Sequence, residues 1–224
     1  MGSEVVFLCE GPRDEAVLCG LFSRLGIRSC NQELPWKAQR VYRWHDVQRD
    51  RRKRRWTQRL LRRCGRPPTR DGYRILTVAF DAWRDQSRPE AILVAVRDRD
   101  REEFQGRCAT LQWAEQNLGE RRFVGACAVE CIEAWILVRC SLDGRKVSSP
   151  HQLRPEEAKR KVAEVMGQDN REGIYALFSE AYEWNDLVSA DGSWETGLAN
   201  FMTKVASRFS DIEGELLSGA AHDG

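Results

Sequence analysis

The chain lacks any long apolar run. No stretch approaches the roughly 18 to 20 consecutive apolar residues that a membrane-spanning helix needs, and charged residues make up 31% of the sequence. The N-terminus shows neither a basic flank nor a cleavage-site pattern, so a secretory signal is not expected. With 224 residues, one domain, or one domain with an appendage, is the natural expectation, and we expect a globular protein of the cytoplasm.

Cysteine spacing of the zinc type is also missing. None of the eight cysteines forms a C-x-x-C pair, and Cys127 and Cys131, four residues apart, are not followed by a second pair. Most of the cysteines lie in apolar runs. We therefore expect buried, reduced thiols, with neither disulfides nor a zinc site.

Motifs for nucleophilic catalysis and nucleotide binding are absent as well. The three histidines are His45, His151 and His222; they belong to no Ser/His/Asp arrangement, and we assign them no catalytic role. The sequence contains no G-x-x-x-x-G-K-[ST] motif, so we do not expect the chain to bind ATP through a P-loop.

The charges that are present are unevenly distributed. Residues 37–74 carry fifteen Lys or Arg and three Asp, a local net charge of +12, so the rest of the chain carries −10 against a total of +2. A basic segment is therefore attached to an acidic body. Nine of its cations fall within residues 49–63: Arg49, Arg51, Arg52, Lys53, Arg54, Arg55, Arg59, Arg62 and Arg63.

Such a cluster attracts phosphate backbones without sequence preference. The basic segment is therefore a candidate nucleic-acid-binding surface, with a solvated helix face or an acidic protein partner as the alternatives. Trp36, Trp44 and Trp56 lie among the cations, where they can stack on exposed bases. For Trp56, beside Leu60, a position in the core is the better interpretation.

The pattern of apolar residues predicts the fold class. Runs without alternation predict buried strands at 4–9, 91–97 and 122–130. Helical spacing predicts helices at 13–25, 49–65, 102–118, 131–140, 155–166, 171–183 and 195–217. Residues 73–85 fit a helix or a strand equally well. The alternation of strands and helices predicts an α/β fold with a mainly parallel sheet flanked by helices, followed by a helical C-terminal part.

Acidic residues follow each of the three predicted strands. They are Glu10, then Asp98 and Asp100, then Glu130 with Glu133 three residues on. The carboxyl ends of neighbouring parallel strands share one edge of the sheet, where ligands gather. Carboxylates crowded there repel one another, and a hard divalent cation with oxygen ligands relieves that repulsion. Helix caps, or ion pairs with the arginines interleaved nearby, are the structural alternative.

These motifs resemble the Toprim fold. The resemblance rests on Glu10-Gly11 after a strand, Asp14 four residues on, and Asp98-Arg99-Asp100 after a later strand. Topoisomerases, bacterial primases, small RNA-maturing nucleases and overcoming-lysogenization-type nucleases share that fold. The continuation AVECIEAWIL, residues 128–137, resembles more narrowly a group of small bacterial Toprim proteins, several of them encoded beside ATPases in phage-defence loci.

The resemblance covers residues 4–140 and implies a domain over residues 1–140, with a basic insertion at about 37–74. Residues 141–224 would form a helical extension packed on it. It implies acid–base or metal-binding roles for Glu10 and Mg²⁺ (or Mn²⁺) binding by Asp98 and Asp100. Glu130 and Glu133 are candidates for binding a second ion about 4 Å away, or for supporting it. Lys159 and Lys161 are candidates for charge stabilisation.

A metal-dependent nuclease is the function that this resemblance implies, since no tyrosine is placed like a topoisomerase nucleophile and the extra domains of a primase are missing. The expected setting is anti-phage defence or a toxin-like system, under control of a separately encoded ATPase. Two alternatives stay open. One is a nucleic-acid-binding or regulatory subunit whose acids are structural, and the other is an inactive scaffold that docks an ATPase.

Overall fold

The computed structural model describes residues 5–27, 29–47, 54–84, 91–98, 104–118, 122–129, 131–145, 147, 153–168, 170–194 and 196–208. These residues form four strands: β1 (Val5–Cys9), β2 (Val41–Arg43), β3 (Ile92–Asp98) and β4 (Phe123–Ala128). They also form nine helices: α1 (Pro12–Arg24), α2 (Arg54–Cys64), α3 (Arg70–Arg84), α4 (Phe104–Leu118), α5 (Ile132–Leu142), α6 (Pro155–Met166), α7 (Arg171–Ser179), α8 (Trp184–Trp194) and α9 (Leu198–Arg208).

The strands form one parallel sheet in the order β2-β1-β3-β4. Successive side chains of a strand point to opposite faces. Phe7 and Val94 therefore pack in one apolar cluster, with α1 and α5, while Leu8 and Leu93 pack in another, with α3 and α4. Both faces are covered, which explains why the strands are continuously apolar. The predicted α/β fold, with its parallel sheet flanked by helices and a helical C-terminal part, is confirmed.

Some element boundaries differ from those predicted. Residues 73–85, which fit a helix or a strand, lie mostly in helix α3 because Ile75, Ala79 and Ala82 recur on one buried face. The C-terminal pattern resolves into α7, α8 and α9. The predicted helix 171–183 ends earlier than expected, at Ser179. Helix α9 begins at Leu198, and residues 209–217 of the second predicted helix lie outside the described residues. Strand β2 was not predicted, because three half-buried residues give no periodic signal.

Helix α1 packs closely against α7 of the C-terminal part. Gly20 lies at the contact: a Cβ atom there would stand 2.7 Å from Cβ of Phe178 and 2.7 Å from the carbonyl oxygen of Tyr175. Because no real side chain tolerates such distances, the two helix backbones approach as closely as glycine permits. Further along the C-terminal part, Trp135 of α5 stacks on Phe201 of α9, with 5.3 Å between ring centroids.

Strand β4 lies at the edge of the sheet, and side chains satisfy part of its outer backbone. The Gly125 amide donates to Oε1 of Glu115 at 3.0 Å. The Gly125 carbonyl oxygen accepts from Nζ of Lys204 at 3.0 Å. Lys204 also lies 2.9 Å from Oε1 of Glu115. An ion pair between α4 and α9 thus occupies the groups that another strand would need.

The cysteines differ from expectation at one pair. Cys108 of α4 and Cys127 of β4 form a disulfide, with 5.8 Å between their Cα atoms, so the prediction of reduced thiols throughout is wrong for these two. The sequence predicted a helix around Cys108 and a strand around Cys127. No spacing in the sequence reveals that α4 packs on β4 with these two residues side by side. The remaining six cysteines are free, and four of them are buried.

Among the described residues, no helix is long and apolar enough to span a membrane.

Candidate metal centre

The carboxyl edge of the sheet holds a cavity of about 410 Å³. Glu10 reaches it because it follows β1, and Asp98 because it ends the neighbouring strand β3. Glu133 reaches it from the first turn of α5. The structure therefore brings together three of the five acids that the sequence singled out. The cavity is lined by Glu10, Gly11, Pro12, Arg13, Asp14, Asp98, Ile132, Glu133, Lys159 and Arg171.

Asp14 is a further acid of this cluster. It lies in the first turn of α1 and is only 3% exposed. Its Oδ2 accepts a hydrogen bond from the Gly11 amide at 2.9 Å, while its Oδ1 is buried without a hydrogen-bond partner. Burial, and then the charges of Glu10 and Glu133, raise the pKa of Asp14 to about 7.

In the sequence, Asp14 contributed to the Toprim resemblance but was not among the predicted metal ligands. The spacing between Glu10 and Asp14 could have indicated that Asp14 also belongs to the acidic cluster. An acid four residues after a strand-end acid, across a Gly-Pro turn, lies in the first turn of the next helix and faces back to the strand end.

Asp98 lies at the centre of the cluster. Its Oδ1 accepts from the Ile132 amide at 3.0 Å, which ties the end of β3 to the start of α5. Burial is the largest cause of its raised pKa, followed by the charges of Asp14, Glu10 and Glu133, and together they bring the pKa of Asp98 to about 9. A carboxylate in this position is costly unless a positive charge joins it.

The donor set fits a hard cation. Carboxylate oxygens are the ligands that Mg²⁺ and Mn²⁺ prefer, the acids repel one another, and Oδ1 of Asp14 is a buried acceptor with nothing to accept. Within the part of the chain that the structure describes, however, no three Asp, Glu, His or Cys side chains stand close enough together to hold an ion. Asp100 and Glu130, the two other predicted ligands, lie outside that part.

Arginines hold two of the acids. Nη1 of Arg13 donates to Oε1 of Glu133 at 3.0 Å. Nη1 of Arg97 donates to Oε1 of Glu10 at 2.9 Å, and the same oxygen accepts from the Asp98 amide at 3.2 Å. The ion pairs that the sequence offered as a structural alternative are thus present, whereas Asp14 and Asp98 form no ion pair with any described residue.

Arg97 is itself held on two further sides. Its Nε lies 3.1 Å from Oδ2 of Asp71, at the start of α3, without donating a well-aligned hydrogen bond. Its guanidinium carbon stands 5.1 Å from the ring centroid of Trp44. Sequence reasoning treated Arg97 only as a possible partner for strand-end acids, because nothing in the sequence brings Asp71 or Trp44 to it.

Two cations of the C-terminal part also line the cavity. Lys159 comes from α6 and Arg171 from the first position of α7. The cavity therefore presents acids from one side of the sheet edge and cations from α6 and α7. The expectation for Lys161 is wrong, since its Nζ lies 3.3 Å from Glu164 on the same helix and it does not line the cavity.

The part of the basic segment that is densest in arginine includes helix α2, which packs against α3. Arg59, Arg62 and Arg63 are exposed on α2. Arg54 and Arg55 begin the helix, but their side chains lie outside the description, as do the whole residues Arg49, Arg51, Arg52 and Lys53. Arg66 and Arg70 are also exposed and continue along the chain towards Asp71. Along the sequence, the exposed arginines thus lead to Asp71, whose side chain lies against Arg97.

The tryptophans of this segment are turned inward. Trp44 is 2% exposed and donates from Nε1 to the Val96 carbonyl oxygen at 2.7 Å, so the suggestion that it stacks on exposed bases is wrong. Trp56 packs edge-to-face on Phe80, with 5.3 Å between ring centroids, as the core interpretation predicted. Trp36 is partly buried against the apolar core.

No protein-family model matches the chain, and neither a curated protein nor a solved structure does.

Proposed function

We propose that this protein is a metal-dependent nuclease that hydrolyses phosphodiester bonds. The observation that carries the proposal is the buried carboxylate of Asp14. Its Oδ1 has no hydrogen-bond partner, and it lines one cavity with Glu10, Asp98 and Glu133. A cluster of this kind favours a divalent cation with oxygen ligands, and the cations on the same cavity favour a phosphate substrate.

Glu10, Asp14 and Asp98 are the described residues that would contribute ligands to Mg²⁺ or Mn²⁺. Because the described acids alone form no set of three ligands, Glu133 and the predicted ligands Asp100 and Glu130 would complete the site. The ion would supply electrostatic stabilisation of the charge that develops on the phosphodiester oxygens during hydrolysis. Arg97 would orient Glu10, and the Ile132 amide fixes one oxygen of Asp98.

Lys159 and Arg171 would bind the non-bridging oxygens of the scissile phosphate. Both line the cavity, and Arg171 makes no ion pair with any described residue. An arginine offers two parallel donors to a phosphate, so it fixes the orientation of the group as well as compensating its charge.

Helix α2 would hold the nucleic acid outside the cavity. Arg59, Arg62 and Arg63 are exposed on one helix, and their density exceeds what the local acids can pair. Contacts of this type bind phosphate backbones, so the interaction should depend steeply on salt and little on sequence.

The proposed setting is the cytoplasm of a bacterium, where the nuclease serves as an effector of anti-phage defence or of a toxin-like system, restrained by a separately encoded ATPase. This part rests on the Toprim resemblance of Glu10-Gly11, Asp98-Arg99-Asp100 and the run from Ala128 to Leu137.

One observation favours a second candidate, a non-catalytic nucleic-acid-binding or ATPase-docking subunit. Arginines already compensate Glu10 and Glu133, and within the described residues the acids do not form a set of three metal ligands. In that case the acids stabilise the fold, and nucleic-acid binding is unaffected by chelators.

A cleavage assay decides between the two. Supercoiled plasmid, single-stranded DNA and tRNA are incubated with the protein and Mg²⁺ or Mn²⁺, with EDTA as the chelated control. We expect cleavage that Asp98→Ala and Asp14→Asn abolish and that Asp186→Asn, at an exposed position of α8, leaves intact. Binding of the same substrates without any cleavage, unchanged by EDTA, would support the second candidate.

A further inference from the structure

A second cavity, of about 380 Å³, lies between β4, α4 and α9. None of the residues that line it lines the acidic cavity. Both sulfur-bearing residues of the disulfide, Cys108 and Cys127, line it and are only half-buried. Gln112 and Asn200 add polar groups to the same wall. The disulfide is therefore open to a small solute, unlike the buried thiols of Cys9, Cys19, Cys131 and Cys140.

The disulfide is one residue away from the acidic cluster in the sheet. Cys127 pairs in register with Arg97, which holds Glu10, and the next residue, Ala128, pairs with Asp98. Cys108 lies on α4, and Arg107 beside it donates from Nη1 to the Asp98 carbonyl oxygen at 2.8 Å. Both ends of the disulfide therefore belong to elements that fix the position of Asp98.

The disulfide is one of several contacts that keep α4 on β4. Leu111 packs within the same apolar cluster as Phe123, and Glu115 accepts from the Gly125 amide at 3.0 Å. The Lys204–Glu115 ion pair adds a third contact, of 2.9 Å. A bond that can open without unfolding the protein is suited to reversible exchange.

We propose that Cys108 and Cys127 are a redox-active pair that exchanges with a low-molecular-weight thiol such as glutathione, admitted through this cavity. A glutathione thiolate attacks one sulfur atom, breaks the Cys108–Cys127 bond and forms a mixed disulfide. A second glutathione thiolate releases the protein sulfur and leaves as glutathione disulfide. Two glutathione molecules supply the two electrons, and each protein sulfur ends as a protonated thiol.

Opening the pair would loosen the attachment of α4 to β4 beside Arg97 and Asp98, and so weaken metal binding. This consequence rests on the proposed metal-dependent function, whereas the exchange itself does not. The oxidised protein is then the form with the ordered site.

The first test is a count of free thiols in the unfolded protein after equilibration with glutathione buffers. Six of the eight cysteines are free when the pair is oxidised. We therefore expect six reactive thiols in glutathione disulfide and eight in excess glutathione, with a reversible transition. The variant Cys108→Ser/Cys127→Ser should give six in both buffers, and Cys64→Ser should shift from five to seven. Eight thiols in wild type after equilibration with glutathione disulfide would overturn the proposal.

The second test is titration of Mn²⁺ into the oxidised and the reduced wild-type protein by calorimetry. We expect about tenfold weaker binding after reduction, within the range for changes behind metal ligands, and no redox effect in Cys108→Ser/Cys127→Ser. Equal affinity in both states would overturn the coupling to the site. Absence of Mn²⁺ binding in either state would refute both the metal function and the coupling, while the thiol count would still decide the exchange.

Discussion

Arg97 joins the acidic cavity to the start of α3: its Nη1 donates to Oε1 of Glu10 at 2.9 Å, and its Nε lies 3.1 Å from Oδ2 of Asp71. Glu10 follows β1, and Asp71 lies in the first turn of α3, near the end of the basic segment. The contacts of Arg97 fix the direction in which the Glu10 carboxylate points. Arg97 therefore has the contacts of a positioning residue rather than of a metal ligand.

Arg97→Ala should lower metal-dependent cleavage by roughly 10- to 100-fold, because outer contacts of a ligating carboxylate have effects of that size. We expect kcat to fall and KM to change little, since the role proposed for Glu10 is to hold the metal and not the substrate. Arg97→Lys keeps the charge but loses the planar fork, so it should restore only part of the activity. Arg122→Ala, exposed beside Trp83, is the control, and equal activity in both alanine variants would contradict the role.

The metal-free protein should lose stability as pH rises. The pKa values of Asp14 and Asp98 are raised from 3.8 to about 7 and about 9, so above about pH 4 the folded state holds protons that the unfolded chain has released. Their contribution is complete below that pH and is lost as pH rises through 7 and 9. Urea unfolding in EDTA at pH 5.5 and pH 9 measures the effect.

Asp98→Asn should flatten this pH dependence and unfold at higher urea than wild type at pH 9, because the amide carries no charge to bury. Asp186→Asn, exposed on α8, is the matched control and should keep the wild-type slope. A wild-type protein whose free energy of unfolding rises between pH 5.5 and pH 9 would show that the acidic cluster is not the dominant titrating feature.

Mn²⁺ should stabilise the folded protein by mass action. At a free concentration 100 times the dissociation constant, binding to the native state alone contributes about 2.7 kcal/mol. The increase in Tm should be greater at pH 8 than at pH 6, because the carboxylates must be ionised to bind the metal. Asp14→Asn should lose most of the increase, and an undiminished increase in that variant would place the ion elsewhere.

Arg59→Ala/Arg62→Ala/Arg63→Ala should weaken nucleic-acid binding to a similar degree for all sequences. Each lost phosphate contact lowers the slope of log K against log salt by about 0.9, so the slope should fall by up to about 2.7. Fluorescence anisotropy in EDTA measures binding without cleavage. The control triple variant is Arg122→Ala/Arg154→Ala/Arg160→Ala, which removes the same charge from exposed positions just before β4, just before α6 and within α6. An equal loss in both triples would indicate attraction by net charge alone.

Gly20→Ala should destabilise the protein by about 1 to 3 kcal/mol, the usual cost of overpacking a tight contact. The added Cβ meets the α7 backbone at Tyr175 as well as the side chain of Phe178, and backbone cannot move aside by changing a rotamer. Urea unfolding measures the loss. Glu172→Ala, exposed on α7, should have little effect, and similar stability in both variants would show that α1 and α7 have room to separate.

Sequence patterns predicted the fold class well because the strands are buried on both faces and each is bounded by an acid or a turn. Glu10, Asp98 and Glu133 were found for the same reason, since parallel strands place their carboxyl ends at one edge. Asp71 and Arg171 were missed. The first reaches the site only through the packing of α3, and the second only through the docking of α7 on α1.

Long-range pairing explains the remaining errors. The Cys108–Cys127 disulfide depends on α4 folding back over β4, which no local spacing records. Trp44 is surrounded by cations in sequence, yet its indole enters the core because β2 pairs with β1 and carries it there. Charged neighbours in the sequence therefore indicate that a residue is exposed to solvent only when the strand or helix that carries the residue is known.

The ion pair between Glu115 and Lys204 affects how readily copies of this protein associate through the edge of the sheet. By occupying the amide and carbonyl oxygen of Gly125, it removes the template on which a strand from a second molecule would add. Addition of a strand at this point of β4, a step towards amyloid-like association, is therefore disfavoured. Losing Lys204 should therefore appear first as slow precipitation of concentrated protein rather than as a change in its chemistry.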